Sequence, residues 1–280
     1  PFVKKGFQDG LTPLSFLYNR FLIAALLTLP IFFLSKNTPS GQKTLKPKRL
    51  IYIIPLELLF SVVSLLLLYV GLDATSAVEA TLIAVTWPLF ITLGAIIFLK
   101  EREEGHEWKG LLLAVLGTIL LVIRPLFNHG AHGSTYGNLL ILLQNVGLAA
   151  YFLLSKRLYR GLNKWLITSV NFFAAFIAFS LIAIFLDLSP LQLTVSLFYF
   201  SSPWPLIATL YMALPGSILA ITLYHLGQEK IEASEASLFT YLQPLFSLPV
   251  AFLLLKESVG IIEIGALAII LIGIFLAEKR

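Results

Sequence analysis

The chain has 280 residues, of which 58% are hydrophobic and only 12% are charged, and its mean hydropathy is +0.89. An average soluble domain carries about 25% charge, so this composition describes a polytopic membrane protein, in which a net charge of +5 sets orientation rather than marking a nucleic-acid partner. The absence of cysteine excludes disulfides, thiol nucleophiles and thiolate metal sites.

A helix that spans a bilayer needs about 20 mostly apolar residues. Stretches of that kind run over roughly 14–35, 50–71, 77–99, 108–127, 137–155, 165–186, 204–226, 234–255 and 260–277. The first carries Arg20 and the second Glu57, close to Pro55. The third holds Thr86, Trp87 and Pro88, and the fifth holds Gln144, Asn145 and Tyr151. Asn171 lies in the sixth, Tyr224 and His225 end the seventh, and Tyr241, Gln243 and Pro244 lie in the eighth. The longest polar stretches, 36–49 and 124–136, are too short to form a soluble domain.

The chain repeats itself. YVGLDATSAVEATLIAVTWPLFITLGAIIFLKE, from Tyr69 to Glu101, returns 156 residues later as HLGQEKIEASEASLFTYLQPLFSLPVAFLLLKE. Gly71 meets Gly227, Glu79 meets Glu235, Pro88 meets Pro244, and Lys100-Glu101 meets Lys256-Glu257. The register extends back to Ser61 and Ser217 and forward to Glu107 and Glu263, then Gly117 and Gly273. Acids, prolines and glycines are sparse in membrane helices, so these matches weigh more than leucine on leucine.

The second repeat opens with NLLILLQNVGLAAYFLLSKRLY, whereas the first has only PFVKKGFQDG in that place. The chain also opens on proline. The expectation is an all-α polytopic membrane protein of two inverted five-helix repeats, at 1–127 and 137–277, with ten helices in the full protein. This chain holds nine of them and lacks most of the first.

Charge supports inverted halves. Counted over alternating loops, Lys and Arg number fifteen on one side and four on the other. The positive-inside rule places the richer side, including the C-terminus, in the cytoplasm. Repeats of five helices each then cross in opposite senses, an arrangement common among transporters.

Three stretches carry a family likeness: LTPLSFLYNRFLIAALLTLP at 11–30, the helix–proline–helix segments that end in Lys-Glu, and LPGSILAITLYHLG at 214–227. They resemble the EamA-type domains of the drug/metabolite transporter superfamily, two in tandem over nearly the whole chain. Where that family has Gly-Glu after its fourth and ninth helices, this chain has Lys100-Glu101 and Lys256-Glu257. The resemblance implies ten helices, both termini cytoplasmic, a central cavity between the halves, and movement of small metabolites, often export. The expected location is the inner or plasma membrane.

Several polar residues are candidates for a substrate cavity, each with a plainer reading beside it. Arg20 either snorkels to the headgroups or holds an anionic solute group through its guanidinium. Glu57 has no counterpart in the second half, where Ala213 stands. It is either an interfacial acid near Lys46, Lys48 and Arg49 or a proton- or cation-sensing group. Pro88 and Pro244 each remove a helix hydrogen bond and kink the helix, and the freed carbonyl must face protein or a water-filled space. Thr86, Trp87, Tyr241 and Gln243 flank them, which suits cavity walls. Gln144, Tyr151 and Tyr224 join this cavity set, while amides such as Asn145 and Asn171 also serve as glue between helices. Ser76-Ala77-Val78-Glu79 has capping-box spacing, so Glu79 reads as a helix start.

Two functions from different classes fit a membrane chain of this kind. One is a secondary carrier for a small organic solute such as an amino acid, with alternating access between inverted halves and proton or ion coupling. The other is an intramembrane enzyme acting on lipid or peptide, which needs clustered acid–base or metal groups. The chain has no HExxH pattern, no paired aspartates within a helix and no P-loop. The carrier is the expected function, with no cofactor, no metal and no catalytic residue.

Overall fold

The computed structural model describes residues 1–34, 47–94, 105–127, 133–159, 162–198, 201–227 and 243–278. The first half contributes α1 (Phe2–Gln8), α2 (Pro13–Leu34), α3 (Pro47–Leu58), a π turn at Leu59–Ser64, α4 (Leu65–Ala74), α5 (Ala77–Ala84), α6 (Trp87–Gly94) and α7 (Gly105–Phe127). The second half contributes α8 (Thr135–Leu158), α9 (Lys164–Phe185), α10 (Pro190–Ser196), α11 (Trp204–Ala213), a second π turn at Leu214–Leu219, and α12 (Ala220–Gly227). It closes with α13 (Gln243–Leu255) and α14 (Ile261–Glu278).

Among the described residues, seven stretches are long and apolar enough to cross a membrane: Pro13–Pro30, Leu50–Ala74, Ala77–Gly94, Trp108–Leu126, Thr135–Ser155, Trp165–Phe185 and Trp204–Leu223. Two shorter apolar helices, Gln243–Leu255 and Ile261–Leu276, accompany them. They fall on the nine apolar segments of the sequence. The start of the eighth segment, 234–242, lies outside the described residues. Large apolar side chains face outward, with Leu181 61% exposed, Phe185 86% and Leu253 77%. Hydrocarbon solvates such groups but offers nothing to backbone N–H and C=O, which a helix satisfies within itself.

The chain forms two compact units, and each draws on both halves of the sequence. One comprises Pro1, Leu67–Leu153 and Ala233–Arg280. Within it α7 and α14 pack together through small residues. A Cβ placed on Gly273 would lie 2.5 Å from the Ala114 nitrogen and 2.7 Å from the Gly110 carbonyl oxygen, and one on Gly117 would lie 2.8 Å from Ile270. Gly117 and Gly273 are the pair matched by the 156-residue register, so the two repeats meet there through equivalent glycines, as close membrane helices do. Gly71 of α4 and Gly137 of α8 make a similar approach, where a Cβ on either would lie 2.8 or 2.7 Å from the other's carbonyl oxygen.

The other unit comprises Phe2–Leu66 and Leu154–Glu232. Here α2 packs on α9, with the Phe21 ring 6.1 Å from Phe172 and 5.7 Å from Phe179. The short α1 lies on α11, its Phe2 ring 5.1 Å from Tyr211 and 6.2 Å from Trp204. Asn19 of α2 donates to the Leu193 carbonyl at 2.9 Å and so ties α10 to this unit.

Candidate functional site

In the unit built around α2 and α9, the charged candidates are buried. Arg20 is 3% exposed, and its Nε donates to Ser217 Oγ at 2.7 Å. Its guanidinium carbon also lies 5.4 Å from the Phe21 ring centroid. Arg20 therefore does not snorkel to the headgroups. It crosses from a helix of the first repeat to the second π turn, where Ser217 in turn donates to the Met212 carbonyl at 2.7 Å.

Glu57 is fully buried and accepts a hydrogen bond from the Tyr159 hydroxyl at 2.5 Å. It is not an exposed interfacial acid. One turn further, Ser61 donates to Asn171 Oδ1, again joining the first repeat to the second. Tyr224 lies on α12, and this helix places its backbone in the same unit.

The other unit holds most of the remaining candidates. The expected kink at Pro88 is a break: α5 ends at Ala84, Val85 and Thr86 form a turn, and α6 starts at Trp87. Proline offers no N–H to the carbonyl four residues back, that of Ala84, and at the resulting break the neighbouring Ile83 carbonyl is taken up largely by side chains. The Ile83 carbonyl accepts from the Thr86 N–H at 3.0 Å, from Thr86 Oγ1 at 2.7 Å and from Asn145 Nδ2 at 2.8 Å. Asn145 is thus glue between helices. Thr86 is wholly buried with its hydroxyl engaged. Trp87 packs edge-on to Phe152 with centroids 5.2 Å apart, and Gln144 and Tyr151 are buried on α8. At the start of α13, Gln243 is exposed and Pro244 buried. Tyr241 lies outside the described residues.

Glu79 does more than start a helix. Ser76 Oγ caps its N–H at 3.0 Å as the spacing predicts, but the carboxylate turns inward. It accepts from Arg124 Nη1 at 2.7 Å, Asn138 Nδ2 at 2.8 Å and Thr75 Oγ1 at 2.9 Å. Arg124 also pairs with Glu263. Beside this cluster, Glu257 accepts from the Ala77 and Val78 N–H groups at 3.1 and 2.9 Å, a carboxylate seated on the N-terminus of α5. Glu235, the counterpart of Glu79, lies outside the described residues.

Polar groups in membrane helices thus tie repeat to repeat, and the same repeats carry a family signature. A profile of the EamA-like transporter family matches residues 1–123 and again 135–278. The chain belongs to the EamA-like transporter family. It is a multi-pass membrane protein of that family, similar to the "Uncharacterized transporter YetK" of Bacillus subtilis, with 28% identity over 91% of this chain and 75% of that protein. The "Uncharacterized transporter YcxC" of the same organism is 26% identical over 98% of this chain and 86% of that one. The mouse "Solute carrier family 35 member G1" is 29% identical over 48% of this chain and 34% of its own length. A solved structure described as "Crystal structure of protein" shares the fold at a TM-score of 0.64 and 17% identity, covering 99% of this chain and 90% of that one.

Sequence reasoning about this EamA-like chain missed Arg124, Asn138, Glu257 and Tyr159 as members of buried polar contacts. A signal existed for two of them. The repeat offset carries Arg124 onto Arg280 and sets Glu257 against Glu101, a recurrence that loop residues need not keep.

Proposed function

We propose that this chain is a secondary carrier that exports a small organic metabolite, such as an amino acid or related compound, across the inner or plasma membrane. Its inverted repeats expose the solute alternately to the two sides, and its C-terminus is cytoplasmic. The observation that carries this reading is a pair of buried contacts, Arg20 to Ser217 and Ser61 to Asn171, each joining one repeat to the other. A polar contact between repeats at membrane depth suits elements that must move against each other. Membership of a transporter family supports the same reading.

Within the unit of α2 and α9, we assign Arg20 to an anionic group of the solute, Glu57 to proton or ion coupling, and Tyr224 to solute contact. Within the unit of α7 and α14, the solute-lining set is Thr86, Trp87, Pro88, Gln144, Tyr151, Gln243 and Pro244, with Tyr241 added from the sequence. Gln243 is the most suitable probe, because it is exposed at a helix start and tolerates bulk without disturbing a core.

The test is flux in proteoliposomes holding the full-length gene product, with a panel of amino acids and small metabolites. Saturable, ATP-independent movement of at least one compound, lost in Gln243→Trp while insertion and melting temperature hold, is the expected result. Flux no greater than in protein-free vesicles would overturn the carrier reading. Flux that rises linearly with concentration would point to a channel instead.

A further inference from the structure

Among the described residues, the two π turns stand apart from the other backbone. A π turn is rare, occurs mostly as a single-turn bulge inside an α-helix, and is frequent at functional sites. The 156-residue offset carries 59–64 onto 215–220, one residue from the observed Leu214–Leu219. Both turns close in the same way, with an amide reaching five residues back: Leu65 N–H to the Phe60 carbonyl, and Ala220 N–H to the Pro215 carbonyl.

Proline does not explain both. Pro215 lies in the second turn, but LFSVVS in the first contains neither proline nor glycine. What the turns share is the register-matched serine. Ser61 and Ser217 are both wholly buried, and each is held by a polar side chain on a helix of the opposite repeat. The partners differ in kind: an amide, Asn171, for one and a guanidinium, Arg20, for the other. An internal duplication that keeps the anchor while the partner changes makes the two turns independent instances of one device.

The surroundings of the first turn leave hydrogen bonds unmade. Asn171 Nδ2 and Thr168 Oγ1, one turn apart on α9, are buried without a hydrogen-bond partner among the described residues. Leaving two buried polar groups without partners weakens this arrangement relative to any that satisfies them.

We propose that Ser61 with Asn171, and Ser217 with Arg20, are paired positioning contacts that hold two helices in a π register, and that transport uses the slip of that register. Moving the extra residue of a π turn along a helix turns the segment it passes by about 100°, one residue's share of a 3.6-residue turn. The segments beyond the turns, Leu65–Ala74 and Ala220–Gly227, then present different side chains on a given face. This rests on the carrier reading.

Hydrogen–deuterium exchange of the full-length protein in nanodiscs, with no solute added, tests the register. In the wild type, the amides of 59–66 and 214–220 are expected to exchange at least tenfold faster than those of 52–57 and 204–210. Ser61→Ala and Ser217→Ala are expected to speed their own turns about tenfold more, the worth of one hydrogen bond, while Ser61→Thr and Ser217→Thr stay near the wild type. Turns as protected as their flanking helices in the wild type would overturn the proposal without any variant. So would threonine variants that behave like the alanine ones. For whichever panel compound the wild type carries, Ser61→Ala is expected to change the maximal rate severalfold and leave half-saturation unmoved, and an unchanged maximal rate overturns the link to transport. If exchange behaves as expected and no compound is carried, the carrier reading and the link to transport both fall, while the register slip stands as a property of the fold.

Discussion

Arg124 stands between two buried carboxylates, donating to Glu79 at 2.7 Å and pairing with Glu263 on the other side. Thr75 and Asn138 add donors to Glu79, whereas Glu263 Oε2 has no hydrogen-bond partner among the described residues. The guanidinium is one cation for two acids. Removing it leaves two buried carboxylates without their cation, and stranding one partner of a buried pair costs about 3–5 kcal/mol.

Arg124→Gln is therefore expected to lower stability by about 3–5 kcal/mol, read as thermal unfolding in detergent. Glu263→Gln is expected to cost clearly less, because it removes the charge with the fewest donors and leaves Arg124 paired with Glu79. Equal losses in the two variants would show that Arg124 is not the centre of the cluster.

The glycine contact between α7 and α14 gives a paired test on one helix. A methyl group at Gly273 would meet the backbone of Ala114 and Gly110, while one at Gly265 meets nothing within 4 Å. Gly273→Ala is expected to cost about 1–3 kcal/mol through overpacking, and Gly265→Ala to be neutral or to gain about 0.5–1 kcal/mol from helix propensity. Unfolding curves of the two variants decide it.

Lys256 sits under backbone strain. It follows α13 with φ at 56°, and its N–H bonds the Phe252 carbonyl at 3.1 Å, so it occupies a left-handed helix end where glycine is favoured. Lys256→Gly is expected to raise stability by about 1 kcal/mol, or about 2–4 °C in melting temperature. A lower melting temperature would mean that the lysine side chain matters more than the backbone strain.

Asp9 supplies a pH dependence outside the membrane spans. Its carboxyl is held below the ordinary value of 3.8, first by the hydrogen bond from Lys5 and then by that from Ser202. A lowered folded value means stabilisation that is present above the ordinary carboxylate range and lost as pH falls through the folded value. Between pH 5 and pH 3 the wild type is expected to lose about 1–3 °C more than Asp9→Asn, since a pair this close to solvent is worth little. Parallel melting curves over that range would refute this.

The architecture was legible in the sequence because membrane helices leave long apolar stretches and because a gene duplication left a constant offset. That offset matched Gly117 with Gly273 and Ser61 with Ser217 before any contact was visible. The polar contacts were less legible. Arg124 sits at the end of an apolar stretch and reads there as a loop charge, while its partners are far along the chain. The carboxylate of Glu79 matched a capping box by spacing, yet tertiary donors took it from the box. LFSVVS carries no sign of a π turn, since its cause is a buried contact with a different helix rather than any local residue.

The proposed carrier rests on halves that cross the membrane in opposite senses, and cysteine labelling tests that most directly in a chain with no cysteine of its own. Gly41→Cys and Gly161→Cys mark the side predicted to be cytoplasmic. Leu188→Cys, at a 41% exposed position after α9, marks the other side. It is a better marker than Gly133, where a Cβ would strike the Glu79 carboxylate. With an impermeant thiol reagent on intact cells, Leu188→Cys is expected to label, and Gly41→Cys and Gly161→Cys to label only after the membrane is opened. Labelling of Gly41→Cys and Leu188→Cys from the same side would contradict the inverted repeats.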